Sequence, residues 1–178
     1  SHDSDSVGDH RFVDNEELRY SLRSLHMYAP WIHHVYIVTD RQVPKWLNTD
    51  YEKVTIVDHS EIMPKEVIPC FSSPIIESYI TNIPGLSEYF LYGNDDMFFG
   101  RPIKPEFFFT PSGNPIVYVK YFEKFKYIGD ESDFMNKYKS VSTWMKTNLN
   151  SWKLLYNQYE KHEFYVLAHN IDAYRKTL

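Results

Sequence analysis

The chain has 178 residues, 43% of them hydrophobic and 24% charged, which suits one folded domain with a substantial core and excludes a wholly disordered chain. A formal net charge of -5 argues against binding nucleic acid by broad phosphate neutralisation, while leaving room for a local arginine cluster that holds one small anion. The lone cysteine, Cys70, excludes an intrachain disulfide and a cysteine zinc cluster, and no apolar stretch approaches the roughly 20 residues that cross a bilayer.

Residues 1–10 are polar, lack the basic end and apolar centre of a signal peptide, and read as a flexible leader, so a single domain is expected over 11–178. DNEELRYSLRSLHMY then predicts an amphipathic helix, with Asp14 and Glu17 as a capping box and Leu18, Leu22 and Leu25 on one face. Ala29 and Pro30 end it. HVYIVTD and KVTIVDH are short β-branched runs of the buried-strand type, joined by the connection RQVPKWLN. SSPIIESYITNI predicts a second helix with Ser73 as N-cap, Pro74 at the first helical position and Ile76, Ile80 and Ile83 on one face. After the turn PGLS, EYFLY is a strand, and IVYVKYF is another beyond a proline-rich loop. Val141, Trp144, Met145, Leu149, Trp152, Leu155, Tyr156 and Tyr159 keep helical spacing and predict a long aromatic helix from about Ser140. The alternation of helix and strand signals predicts an α/β layer fold with a largely parallel sheet, which binds ligands beyond the carboxyl ends of its strands.

The stretch FLYGNDDMFFG places Asn94, Asp95 and Asp96 at such an end. Two adjacent carboxylates against an apolar strand repel each other and lose hydration, and a divalent cation with oxygen ligands, magnesium or manganese, compensates both effects. The competing reading is a turn in which these side chains bond local amides. Arg19 and Arg23, four residues apart with Asn15 a turn earlier, put two guanidinium groups on one helix face, a grip suited to a diphosphate. The alternative there is a solvated face where Glu16 pairs with Arg19 or Tyr20 simply packs. Glu77 lies one turn into the second helix, where an anion is stabilised without any functional need. His169 titrates near neutrality and could serve as a general base, although it is one of eight histidines. No Gly-rich phosphate loop, Gly-x-Ser-x-Gly elbow or His-Glu-x-x-His motif is present, which sets aside the classes that depend on them. The 17% aromatic content serves as core filler, and where exposed its rings offer platforms for sugar faces.

In order and spacing, RFVDNEELRYSLRSLHMYAPWIHHVYIVTDRQVPKWLN, FSSPIIESYITNIPGLSEYFLYGNDDMFFG and FFFTPSG resemble the longest conserved block of the Stealth family of sugar-1-phosphate transferases. That family includes bacterial capsule and exopolysaccharide phosphotransferases and the lysosomal-tagging N-acetylglucosamine-1-phosphotransferase of animals. AHNIDAYRKTL resembles the opening of the following block. The resemblance implies a GT-A-like core, Mg2+ or Mn2+, a UDP-sugar donor and a glycan acceptor. It assigns Asp95 and Asp96 to the metal, Asn15, Arg19 and Arg23 to substrate, and Asp96, Glu77 and His169 to catalysis. It also implies that the chain is a fragment without the family's first and last blocks, from a protein of the bacterial cytoplasm at the membrane's inner face or of the Golgi lumen. On the same fold a glycosyltransferase releasing UDP, or an inactive carbohydrate-binding module, are the rival expectations.

Overall fold

A computed structural model describes residues 16–124, 143–159 and 163–177. The chain divides into two compact units, Ser1–Ile116 with Ile171–Leu178, and Val117–Asn170.

In the first unit α1 spans Glu17–Tyr28. Asp14 and Asn15 lie outside the described residues, and the cap is Glu16 rather than Asp14. Glu16 adopts a left-handed conformation at φ 63° and makes no side-chain cap bond; its carboxylate pairs with Arg19 instead, at 2.9 Å. The strands β1 (Val35–Thr39) and β2 (Val54–Asp58) pair in parallel, with Val35 opposite Val54 and Thr39 opposite Asp58. Residues 40–53 make the crossover, long enough to return the chain to the same end of the strand pair. Asp58 caps the short helix α2 (His59–Ile62) in a capping box with Glu61.

Helix α3 (Ser73–Tyr79) begins one residue earlier than its sequence suggests, with Ser72 at the cap and Pro74 in the first turn, and runs into a 3-10 turn at Ile80–Asn82. Strand β3 (Tyr89–Tyr92) pairs antiparallel with β6 (Asp172–Arg175), the last strand of the chain. The expected largely parallel sheet is therefore corrected: of the three two-stranded sheets among the described residues, β1–β2 is parallel and the other two are antiparallel. The architecture is mixed helix and strand with a small parallel sheet.

Alternation along β3 divides the core of this unit. Phe90 and Tyr92 face one cluster, built on Val57, Ile62, Met63, Cys70, Ile80 and Ile83 with Ile76 and Tyr79 of α3 packed against it. Leu91 faces the other, built on Ala29, Phe99, Phe108 and Ala173 with Leu25 and Tyr28 of α1. Phe108 and Ile83 are each 2% exposed, so each contributes about 1.5–3 kcal/mol of burial free energy. One four-residue strand thus ties α1 and α3 to a common frame.

In the second unit β4 (Val119–Lys124) pairs antiparallel with β5 (Glu163–Leu167). Strand β4 starts later than IVYVKYF suggests, because Phe109 bridges Pro115 and the Ile116 amide donates to the Phe108 carbonyl at 2.8 Å, which holds the first residue of that run to the preceding loop. Helix α4 (Thr143–Tyr159) buries Leu149 and Trp152, matching the expected aromatic helix.

Candidate active site

Beyond β3 the chain turns at once. Gly93 is closely approached there: a Cβ would stand 3.1 Å from Ile171 Cγ1, so a side chain would have to push that residue back slightly. The Met97 amide then donates to the Asn94 carbonyl at 3.2 Å, closing a turn with Asp95 and Asp96 at its centre. The turn reading of this stretch is thus correct for the backbone. The side chains tell a different story. Asn94 Oδ1 accepts from the Tyr92 hydroxyl at 3.1 Å, whereas the exposed carboxylates of Asp95 and Asp96 accept a hydrogen bond from no described residue. No described residue forms a hydrogen bond or an ion pair with these two neighbouring anions.

The turn is pinned to α1. The Phe99 amide donates to Ser24 Oγ at 3.0 Å, and Phe99 is buried in the cluster that also receives Leu25 and Tyr28. Further along, Trp31 Nε1 donates to the Ile103 carbonyl at 2.8 Å and the Ile103 amide to the Tyr28 carbonyl at 2.9 Å. Helix α1 and the loop after the acidic turn are therefore one packed piece. On that helix Arg19 pairs with Glu16 and lies 5.9 Å from the centre of the Trp46 ring, while Arg23 lies 5.8 Å from that of Tyr20. The Glu16–Arg19 pair of the expected alternative is realised, while Tyr20 is exposed beneath Arg23. Arg19 is half-buried and Arg23 exposed, and a solvent-accessible pair such as Glu16–Arg19, whose side chains are 46% and 36% exposed, costs little to exchange for a ligand anion.

Glu77, half-buried on α3, accepts at Oε1 from the hydroxyl of Tyr174 on β6. Tyr92 stands close by, and its phenol is pushed up to about 12, by burial first and then by the charges of Glu77, Asp95 and Asp172. Carboxylates from α3, the acidic turn and β6 thus act on one hydroxyl. Asp172 and Tyr174 escaped the sequence reading because they lie about eighty residues from their β3 partners; the polar–apolar alternation of Asp172, Ala173 and Tyr174 was the available strand signal. His169 is exposed and belongs to the second unit, directly after β5.

Among the described residues no three His, Cys, Asp or Glu side chains group closely enough to hold a metal ion between them. An all-protein cage is therefore absent from the described residues. The donor chemistry of Asp95 and Asp96, two hard carboxylates without a described partner, does fit a magnesium-type ion, which binds through one or two carboxylates and completes its shell with water and substrate phosphates.

Two exposed carboxylates thus stand beyond β3 on a turn packed against the helix that carries Arg19 and Arg23. The chain belongs to the Stealth family: residues 11–117 match the family model for Stealth protein CR2, conserved region 2. It is 52% identical over 111 residues to an exopolysaccharide phosphotransferase of Streptomyces coelicolor, covering 62% of this chain and 20% of that protein. It is 37% identical over 169 residues to the capsular polysaccharide phosphotransferase LcbA of Neisseria meningitidis, covering 94% of this chain and 44% of that protein. To the human N-acetylglucosamine-1-phosphotransferase subunits alpha/beta it is 47% identical over 120 residues, 67% of this chain and 10% of that protein. The chain spans less than half the length of each of these relatives.

Proposed function

We propose that the protein containing this chain transfers a sugar 1-phosphate, N-acetylhexosamine 1-phosphate being the favoured case, from a UDP-sugar to a hydroxyl of an acceptor glycan in capsule or exopolysaccharide synthesis. The observation that carries this reading is the Asp95–Asp96 pair, which has no partner among the described residues, on a turn fastened to the arginine helix through Ser24 and Phe99. The names of the relatives, phosphotransferases of capsular and exopolysaccharides, support it. A GT-A-like core is part of the same proposal.

An oxygen of the acceptor attacks the phosphorus next to the sugar, the bond from that phosphorus to the bridging oxygen breaks, and UMP leaves with that oxygen. The product is a sugar–phosphate–sugar diester. Such transfers need positioning and charge neutralisation more than covalent help. Asp95 and Asp96 would hold Mg2+ or Mn2+, which when bound neutralises charge on the diphosphate. Arg19 and Arg23, with Asn15 a turn earlier, hold the diphosphate oxygens. Glu77 orients the acceptor hydroxyl and His169 takes its proton. No described helix is long and apolar enough to cross a membrane, and we place the reaction in the bacterial cytoplasm, peripheral to the membrane's inner face.

The test is the full-length protein carrying Asp96→Asn or His169→Ala, offered a UDP-sugar, an acceptor and Mg2+. Each variant should lose transfer by roughly a hundredfold or more. Near-normal transfer by both would sink the assignment.

A further inference from the structure

Glu77 is not a bare helical carboxylate. The hydroxyl that donates to its Oε1 comes from Tyr174, 97 residues further along the chain. Tyr174 is itself held on two sides: its ring stacks on Phe90 with centroids 5.5 Å apart and planes 16° apart, and meets Tyr92 edge-on at 6.4 Å. Both contacts follow from the β3–β6 register, which sets Phe90 opposite Tyr174 and Tyr92 opposite Asp172 on one face of the strand pair. That face is the one on which Phe90 and Tyr92 pack with Ile76 and Tyr79 of α3.

The arrangement keeps the donor a donor. Burial, then the bond to Glu77, then the charges of Glu77 and Asp172 push the Tyr174 phenol above the ordinary tyrosine range. One carboxylate oxygen of Glu77 is therefore engaged throughout the neutral range. The other, Oε2, takes no hydrogen bond from any described residue. A glutamate has three side-chain torsions, and in reactions that depend on a near-attack geometry a displacement of about 1 Å can cost about 100-fold in rate.

We propose that Tyr174 is a positioning residue: by fixing Oε1 of Glu77 it presents Oε2 to the acceptor hydroxyl. The inference rests on Glu77 being the acceptor-facing group of the proposed transfer. It adds a residue of β6 to a site whose other parts in this unit lie on α1, α3 and the acidic turn.

Tyr174→Phe in the full-length protein removes the hydroxyl and leaves the ring that stacks on Phe90. Its calorimetric UDP-sugar affinity should match the wild type and its melting temperature should fall only modestly, for the one part-buried hydrogen bond removed, whereas kcat should fall by about 10- to 100-fold. Single-turnover rates with enzyme in excess, which remain readable for slow variants, are then compared in a Glu77→Ala background. There Tyr174→Phe should cause no further loss, because the group it acts through is gone. Wild-type kcat for Tyr174→Phe, or an undiminished loss in the Glu77→Ala background, overturns the proposal. So does wild-type turnover by Glu77→Ala itself. Release of UDP instead of UMP refutes the phosphotransfer reading alone, since the coupling between Tyr174 and Glu77 is then measured on that reaction.

Discussion

Strands β2 and β3 both run into aspartates, and the two ends have opposite fates. At the end of β2 the fold consumes the carboxylate of Asp58: Ser60 donates to it through both hydroxyl and amide, and the Arg41 amide donates at 2.8 Å. Glu61 completes the exchange by accepting from the Asp58 amide at 2.7 Å. These bonds, the Ser60 hydroxyl first, hold the Asp58 carboxyl below the ordinary carboxylate range. Beyond β3, the turn closes through a backbone hydrogen bond with Asn94 accepting from Tyr92, and leaves Asp95 and Asp96 without a described donor. An aspartate after an apolar strand is therefore no functional sign in itself. The sign is the lack of local donors, because an anion with its hydrogen bonds satisfied has little left to offer a cation.

The largest expected effect comes from replacing Asp95 and Asp96 together by Asn in the full-length protein. Transfer should fall by roughly a hundredfold or more, while the melting temperature holds or rises, because like charges are removed and no hydrogen bond is lost. A melting temperature that drops along with activity would make the pair structural and erase the contrast with Asp58. Next in size, Phe108→Ala empties a site that is 2% exposed in the core cluster shared by α1 and the loop after the acidic turn. It should cost about 3–5 kcal/mol in denaturant unfolding.

Asp58→Ala should give the converse of the first result, a lower melting temperature with wild-type turnover per folded molecule. Its pH dependence has a definite sign. The folded carboxyl titrates below the unfolded value of 3.8, so its contribution is fully present above 3.8 and is lost as the pH falls through the lower, folded value. Acid unfolding curves of wild type and variant should therefore converge only below 3.8. The smallest effect concerns Tyr92. It ionises at about 12 in the fold against 10.0 when unfolded, so this phenol destabilises the protein as the pH rises from 10.0. Asp95→Asn should bring its ionisation slightly lower, visible as an earlier tyrosinate absorbance in alkaline titration; no change would place Asp95 too far away to matter.

Much of the local structure was legible in the sequence. The strands at Val35–Thr39, Val54–Asp58 and Tyr89–Tyr92 and the helices at Glu17–Tyr28 and Ser73–Tyr79 fall where β-branched runs and apolar spacing put them, because each is decided by neighbours along the chain. The β3–β6 pairing was not legible: it joins segments about eighty residues apart, and parallel and antiparallel partners read alike in a short apolar strand. Caps were misplaced for a local reason, since Glu16 and Ser72 take the boundary positions without side-chain cap bonds. The acidic turn and the arginine face stood out as charge patterns, and family resemblance joined them. The partner of Glu77 did not stand out, because a tyrosine in a strand is ordinary until a register shows what lies opposite.

The central claim is that the open carboxylates after β3 serve transfer of a sugar together with its phosphate. The most direct test offers the full-length protein a UDP-sugar labelled in the phosphate next to the sugar, with an acceptor glycan and Mg2+. The account predicts that the label enters the glycan as a diester and that UMP is released in equal amount. Label leaving as UDP, with an unlabelled glycoside formed, would contradict it.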